Sequence, residues 1–465
     1  MVLAILLTLA APDAVEQALA SAGPGTRIGL VVADEDGREI VAIRADERFV
    51  PASNTKLYTT ALAFATLPVA GPDDAGATVR LEGRPARPDV VLAGHGDARL
   101  SSAADCTVDC LATLADAVAA RTRRVGDVIG DDSAFPDERW SAGMSWNNQV
   151  GRYGTGISAL TIDDNEVALT VTPGAPGAAP AIAADGYYRI ENRATTAPGR
   201  ETLTTARVPG SDVLRVSGTI PAGAAETLRV GVDDPAHRAA WRLATLLRAR
   251  GVWVAGRVAV RHRPSSAADD PAARGNSPAA RPPEPAALAR LIPAPLAQDL
   301  VLTNKVSQNL HAELLLRRAG AVTGSGSVAD GQAAMRAMMD AAGVPRWQYE
   351  FADGSGMSNY NRVTPRGTVA LLRWGATQPW GASWRATFPI AGVDGTLSGR
   401  FKGTPLAGRL FAKTGSLNAS NALAGYMTAA SGRTLTFAIY ANDMPGDASA
   451  RPAMDAALLA VAAAN

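Results

Sequence analysis

Lysine is the scarce residue in this 465-residue chain. Of its 45 basic residues only four are lysine, at positions 56, 305, 402 and 413; the others are arginine. Arginine keeps its proton at any accessible pH, whereas a desolvated lysine can lose it. Each lysine is therefore a candidate for a task that a generic positive charge cannot perform. Histidine is equally rare, with His95, His237, His262 and His311 making up the whole supply. There is no His-Glu-x-x-His, which removes a common zinc-hydrolase signature. There is no Gly-x-Ser-x-Gly elbow either, and a Ser-His-Asp triad has few histidines to draw on. Neither a metal nor an organic cofactor is expected. Charge of one sign is not in excess: 45 basic against 44 acidic residues leave +1. That balance gives no reason to expect nucleic acid or a charged membrane surface as partner. Long apolar runs are missing as well. The run VLAILLTLA at 2–10 is too short to span a bilayer and reads as the core of an export signal, although no basic residue precedes it. Residues 1–11 are accordingly expected to be a signal-peptide remnant on a periplasmic or otherwise extracytoplasmic protein with no transmembrane segment.

Only two cysteines occur, Cys106 and Cys110. Four residues apart they suit neither a zinc site nor a Cys-x-x-Cys redox pair. On a regular helix their Cβ atoms would sit about 5–6 Å apart, too far for an unstrained disulfide. A bridge is feasible if Cys106 precedes the helix; two buried thiols are the alternative.

A chain of this length exceeds what one compact core usually serves. A short helix at 12–22 is followed by a hairpin, 26–33 and 38–43, around Asp34-Glu35-Asp36-Gly37. Pro51 introduces a helix over 53–67 that Pro68 stops. Helical patterns fall at 107–121 and 236–249, with a strand at 252–261, and 156–231 is rich in short strands. Residues 264–295 carry eight prolines among Ala, Ser and Asp and read as a linker. Helices are expected at 296–318 and 328–342, then an antiparallel meander at 408–416, 421–428 and 433–441, and a final helix at 447–463.

Three short motifs carry chemistry. In Ser53-Asn54-Thr55-Lys56 the serine and lysine share a helix face. Ser53 would stand at the helix N-terminus, where free N–H groups favour developing negative charge. A desolvated Lys56 can act as its base. Alone, this pattern is also that of a capping serine beside a solvated lysine. In Ser307-Gln308-Asn309 the outer residues do not share a helix face. They can enter one cleft only from a loop or helix junction, where the hydroxyl could relay a proton and the amide could hold a substrate amide. Lys413-Thr414-Gly415 ends an expected strand. It offers a charge and a hydroxyl to a substrate carboxylate, and a glycine that lets a ligand approach the backbone. The order of the three motifs is that of penicillin-binding proteins and class A β-lactamases.

Longer strings narrow the likeness: VPASNTKL at 50–57, NKVSQNL at 304–310 followed by Ala312-Glu313, DGSGMS at 353–358, NRVTP at 361–365 and GVDGTL at 392–397. On these the chain resembles the class C low-molecular-mass penicillin-binding proteins, the D-alanyl-D-alanine carboxypeptidase/endopeptidase family of the DacB type, from about residue 15 to the end. Gln308 stands where that family usually has Asp or Asn. The resemblance implies an α/β multidomain protein. Its catalytic domain would be serine β-lactamase/transpeptidase-like, an antiparallel sheet flanked by helices, with inserted, mainly β domains. It further implies hydrolysis of peptidoglycan stem peptides through an acyl-enzyme on Ser53, covalent inhibition by β-lactams, and an oxyanion hole from the backbone N–H groups of Ser53 and Ser416. Ser307 would pass a proton to the leaving amine, Asn309 would position the peptide, and Lys413 and Thr414 would hold its carboxylate.

The 254 residues between Ser53 and Ser307 are too many for a single-domain β-lactamase, so an insertion follows the nucleophile helix. The expected division is a catalytic unit of 12–65 and 284–465, an inserted domain of 66–85 and 156–283, and a nested domain at 86–155. The DGSG string is expected to be a tight turn near the cleft more than a catalytic element. A β-lactamase or esterase on the same scaffold, or a non-catalytic peptidoglycan-binding protein, are the competing readings.

Overall fold

The computed structural model describes residues 10–223, 225–275, 277–280 and 283–465. The expected export segment at 1–11 lies outside them, apart from its last two positions, which open the helix Ala10–Ala20. None of the helices among the described residues is long and apolar enough to cross a membrane.

The unit that carries the three motifs is built on a five-stranded antiparallel sheet. Its order is Leu410–Leu417, Ser420–Thr428, Thr434–Asn442, Arg27–Ala33 and Glu39–Ile43. The expected hairpin and C-terminal meander are both there, joined edge to edge. Strand Arg27–Ala33 is almost wholly apolar because both of its faces are covered. Leu30 and Val32 point to a core shared with Val15, Leu19, Leu458 and Val461 of the first and last helices. Val31 and Ala33 point to the opposite core, which holds Leu57, Tyr58, Met335 and Leu372. That second layer contains the nucleophile helix Thr55–Thr66 with helices Val328–Ala341 and Pro365–Thr377.

The single helix expected at 296–318 is two, Leu296–Lys305 and Asn309–Ala321. The break falls at Ser307, whose φ of 65° no helix interior accommodates. This is the junction that the Ser-x-Asn spacing demanded.

The inserted region nests differently from the expectation. Strands Thr78–Glu82 and Asp89–Ala93 form a hairpin that runs across the boundary placed at 85/86. With Val128–Pro136, Val258–Arg263 and Ala289–Arg290 they make one mixed five-stranded sheet. Strand Val128–Pro136 is parallel to both of its neighbours, so each connection must be a crossover. Helices Leu111–Arg121 and Pro235–Ala249 lie on those crossovers and close the core around Val79, Leu92, Leu114 and Leu243. The strand-rich stretch sits inside the second crossover. It forms two three-stranded sheets over its own core of Val167, Leu169, Val216 and Val230. The nested unit is therefore about 166–231, not 86–155. Hydrophobic alternation marks a strand but not its partner, and parallel partners lie far apart in sequence.

The proline-rich 264–295 segment is not a free linker. Ala289–Arg290 pairs with the edge of the inserted sheet. Arg274 forms an ion pair with Asp330, and the carbonyl of Asp269 accepts from the Ser327 hydroxyl. The chain rejoins the catalytic unit near Leu296, later than the expected 284. Cys106 and Cys110 are joined by a disulfide, with Cα atoms 5.7 Å apart. The helix starts only at Leu111, so neither cysteine is held to helical spacing.

Candidate active site

Ser53 lies in a 3-10 turn, Ala52–Asn54, that leads directly into the helix Thr55–Thr66. The turn is held from two sides by glycines. Gly356 adopts a φ of 91°, and a Cβ there would stand 1.9 Å from the Ala52 carbonyl oxygen. A Cβ on Gly415 would stand 2.6 Å from the Pro51 carbonyl oxygen. The glycine of Lys-Thr-Gly thus admits the nucleophile turn, rather than the ligand approach expected for it. The Asn54 side chain completes the clamp by donating to the Lys413 carbonyl at 2.8 Å.

Lys56 is fully buried. Its Nζ lies 3.1 Å from Ser53 Oγ, 2.6 Å from Asn309 Oδ1 and 2.7 Å from the Ser355 carbonyl oxygen. Burial lowers its pKa to about 7, although the Asp353 and Glu313 carboxylates push it back up. The partners then fix the direction of its lone pair. A carbonyl oxygen only accepts, and the Asn309 amide is oriented because its Nδ2 donates to the Tyr153 carbonyl at 2.9 Å. A neutral amine has two protons, one each for Asn309 and Ser355, so its lone pair is left facing the Ser53 hydroxyl.

Lys413, the second fully buried lysine, donates to Ser307 Oγ at 3.0 Å and to the Thr414 carbonyl at 2.9 Å. Burial and the nearby Lys56 hold its pKa well below the ordinary lysine value. The Ser-x-Asn motif is thus divided, Ser307 with Lys413 and Asn309 with Lys56. Asn309, expected to hold the substrate amide, commits both ends of its side chain to the protein. Gln308 caps its helix, Oε1 accepting from the Asn309 N–H at 2.9 Å. Its side chain borders a cavity of about 230 Å³ that neither Ser53 nor either buried lysine lines. Thr414 Oγ1 lies 2.7 Å from Thr396 Oγ1, and Ser416 Oγ accepts from Arg451 Nη2 at 2.7 Å.

The other two lysines stand apart: Lys305 pairs with Asp394 at 2.6 Å and Lys402 is exposed. The histidines bond elsewhere, His311 to Asp299 and Asp164, His262 to Asp132 and Asp234, His95 to Thr78, and His237 to Tyr187.

Several functional groups carried no sequence signal of their own. Glu313 is buried and accepts from the Gly354 and Ser355 N–H groups at 3.1 and 2.9 Å. Burial, then the neighbouring Asp353 charge, raises its pKa to about 7. Asp353 accepts from Gly356 N–H at 2.9 Å and Ser358 N–H at 2.6 Å. Together they shape the DGSG turn so that the Ser355 carbonyl meets Lys56. The turn is structural, as expected, yet its Ser355 carbonyl bonds Lys56 directly. Glu313 stood inside a quoted string, but only the fold shows its task.

A serine at a helix start, a buried lysine of lowered pKa beside it and a second buried lysine on the adjacent strand define an active-site serine hydrolase of the β-lactamase/transpeptidase-like class. The comparisons agree with that class. The solved structure of penicillin binding protein 4 (dacB) from Haemophilus influenzae superposes with a TM-score of 0.79 at 22% identity, covering 95% of this chain and 97% of that one. The chain belongs to the D-Ala-D-Ala carboxypeptidase 3 (S13) family, whose model matches residues 12–464. It is 34% identical to a D-alanyl-D-alanine carboxypeptidase of Actinomadura sp. (strain R39) over 91% of its own length and 79% of that protein's. It is 24% identical to a penicillin-sensitive carboxypeptidase A of Dictyostelium discoideum, over 90% and 84% respectively.

Proposed function

We propose that this protein hydrolyses the D-alanyl-D-alanine bond of peptidoglycan stem peptides through an acyl-enzyme on Ser53. The observation that carries the reading is the bonding of Lys56: its pKa is about 7 and only Ser53 remains to face its lone pair. Lys56 takes the Ser53 proton as Oγ attacks the carbonyl of the penultimate D-alanine. The oxyanion settles between the Ser53 and Ser416 backbone N–H groups. The proton reaches the leaving D-alanine amine through Ser307, which is bonded to Lys413. Water then attacks the acyl-enzyme, Lys56 takes a proton from that water and passes it to Ser53 Oγ as the ester bond breaks, and the shortened peptide leaves. Asn309 contributes by holding Lys56 in orientation. Lys413 and Thr414 hold the terminal carboxylate. A cross-link in place of the terminal D-alanine gives endopeptidase turnover at the same site.

A β-lactam enters the same chemistry, but its opened ring stays attached and hinders the water. The catalytic unit comprises the N-terminal segment to about residue 65 and the chain after the insertion, and it works on the outer side of the cytoplasmic membrane. A labelled penicillin followed by mass mapping tests the reading. The adduct is expected on the peptide carrying Ser53; an adduct on another residue, or none, refutes it.

A further inference from the structure

Arg451 occupies the first position of helix Arg451–Ala464. A positive charge there faces the positive end of the helix dipole, an unfavourable place for it. Its neighbour one turn on offers no compensation, because Asp455 is engaged with Arg400 at 3.2 Å. Among the described residues no carboxylate forms an ion pair with Arg451; its side-chain hydrogen bond goes to Ser416 Oγ at 2.7 Å. Guanidinium has five donors, so most are left for a ligand.

The position of the helix start is fixed. Asn421 lies directly across from Ser416 in the strand register. Its Oδ1 accepts from the Ala450 N–H at 3.0 Å and from the Ser449 hydroxyl at 3.2 Å. The turn carrying Arg451 is therefore anchored to Ser420–Thr428, the strand paired with the one that bears Lys413, Thr414 and Ser416. Ser416 is exposed at the end of that strand, and Arg451 is exposed beside it.

The cleft also needs such a group. Lys56 and Lys413 are both fully buried, and burial together with the nearby Lys56 disfavours the charge of Lys413. Lys413 already donates to Ser307 and Thr414. Lys413 therefore offers an anionic substrate end only a shared charge, and Arg451 adds a further cation at the end of the strand.

We propose that Arg451 is a specificity-determining residue that recognises the terminal carboxylate of the donor substrate, acting beside Ser416. This rests on the carboxypeptidase reading above. The test uses a matched pair of thioesters, an acyl-D-alanyl thioglycolate with a free carboxylate and its methyl ester. Arg451→Ala is expected to raise KM for the anionic thioester, lowering the preference for it over the neutral one by about two- to fivefold. Arg451→Lys is expected to recover most of that preference, because the charge is kept. Added salt is expected to erode the preference in the parent protein and hardly at all in Arg451→Ala, since an exposed charge is screened. An unchanged preference in Arg451→Ala, with Ser53 still labelled by penicillin, overturns this proposal alone. Failure of the parent protein to label at Ser53 overturns the carboxypeptidase reading instead.

Discussion

Replacing Lys56 by arginine separates charge from basicity at one position. Lys56 is wholly buried and meets three oxygens within 3.1 Å. Arginine keeps the charge and the reach, and this chain uses it nearly everywhere else. Its guanidinium cannot accept the serine proton, since its pKa stays above about 12. Loss of a general base costs about 10²–10⁴ in rate, and crowding of Ser53 by the larger group adds to that. The assay is the rate of acylation by a fluorescent penicillin, with a thermal melt alongside. Lys56→Met is the companion variant: it fills similar volume without a charge, so slow acylation in a well-folded Met variant isolates the base from any packing defect. Lys402→Arg is the control; Lys402 is exposed and outside the three motifs, and near-parental acylation is expected. Acylation of Lys56→Arg at close to the parental rate would refute the reasoning and leave the lysine as a fixed charge.

The pH dependence of acylation should follow the same amine. Only unprotonated Lys56 can take the serine proton, so the rate should rise through about pH 7, falling about tenfold per unit below it; a rate flat between pH 5 and 8 contradicts this. Thr414→Val should weaken turnover of substrates with a free terminal carboxylate more than that of cross-linked ones, because a hydroxyl donor is lost from a site built around it; equal losses would make Thr414 purely structural. Gly356→Ala should displace the nucleophile turn, as its Cβ would stand 1.9 Å from the Ala52 carbonyl oxygen, and acylation should drop by about 10²-fold. Glu138→Gln should lower unfolding stability by about 2–4 kcal/mol in denaturant titration, because it strips the fully buried Arg317 of its carboxylate partner; a change under about 0.5 kcal/mol would show the ion pair to be idle.

Lysine scarcity made Lys56 and Lys413 legible in the sequence, and the spacing of Ser307 and Asn309 correctly required a helix junction. What escaped the sequence was mostly backbone. Lys56 is directed by the carbonyl of Ser355 and, through Asn309, by that of Tyr153, and a carbonyl has no residue type. Gly415 looked like a ligand approach because the sequence does not show which surface packs against a strand. The nesting of the insertion was misplaced for a related reason. Val258–Arg263 overlaps the expected strand at 252–261, but nothing local says that it pairs in parallel with Val128–Pro136 across the whole 166–231 unit.

Lys56, the proposed base, receives its neighbours late in the chain. Asn309 and Ser355 follow Lys56 by 253 and 299 residues, and the Lys413 carbonyl follows Asn54 by 359. During synthesis the Ser-x-x-Lys segment emerges as a serine beside a solvated, protonated lysine, with no burial to draw off its proton. On the proposed mechanism, competence to cleave therefore requires that the strands bearing Lys413 and its neighbours have closed the sheet.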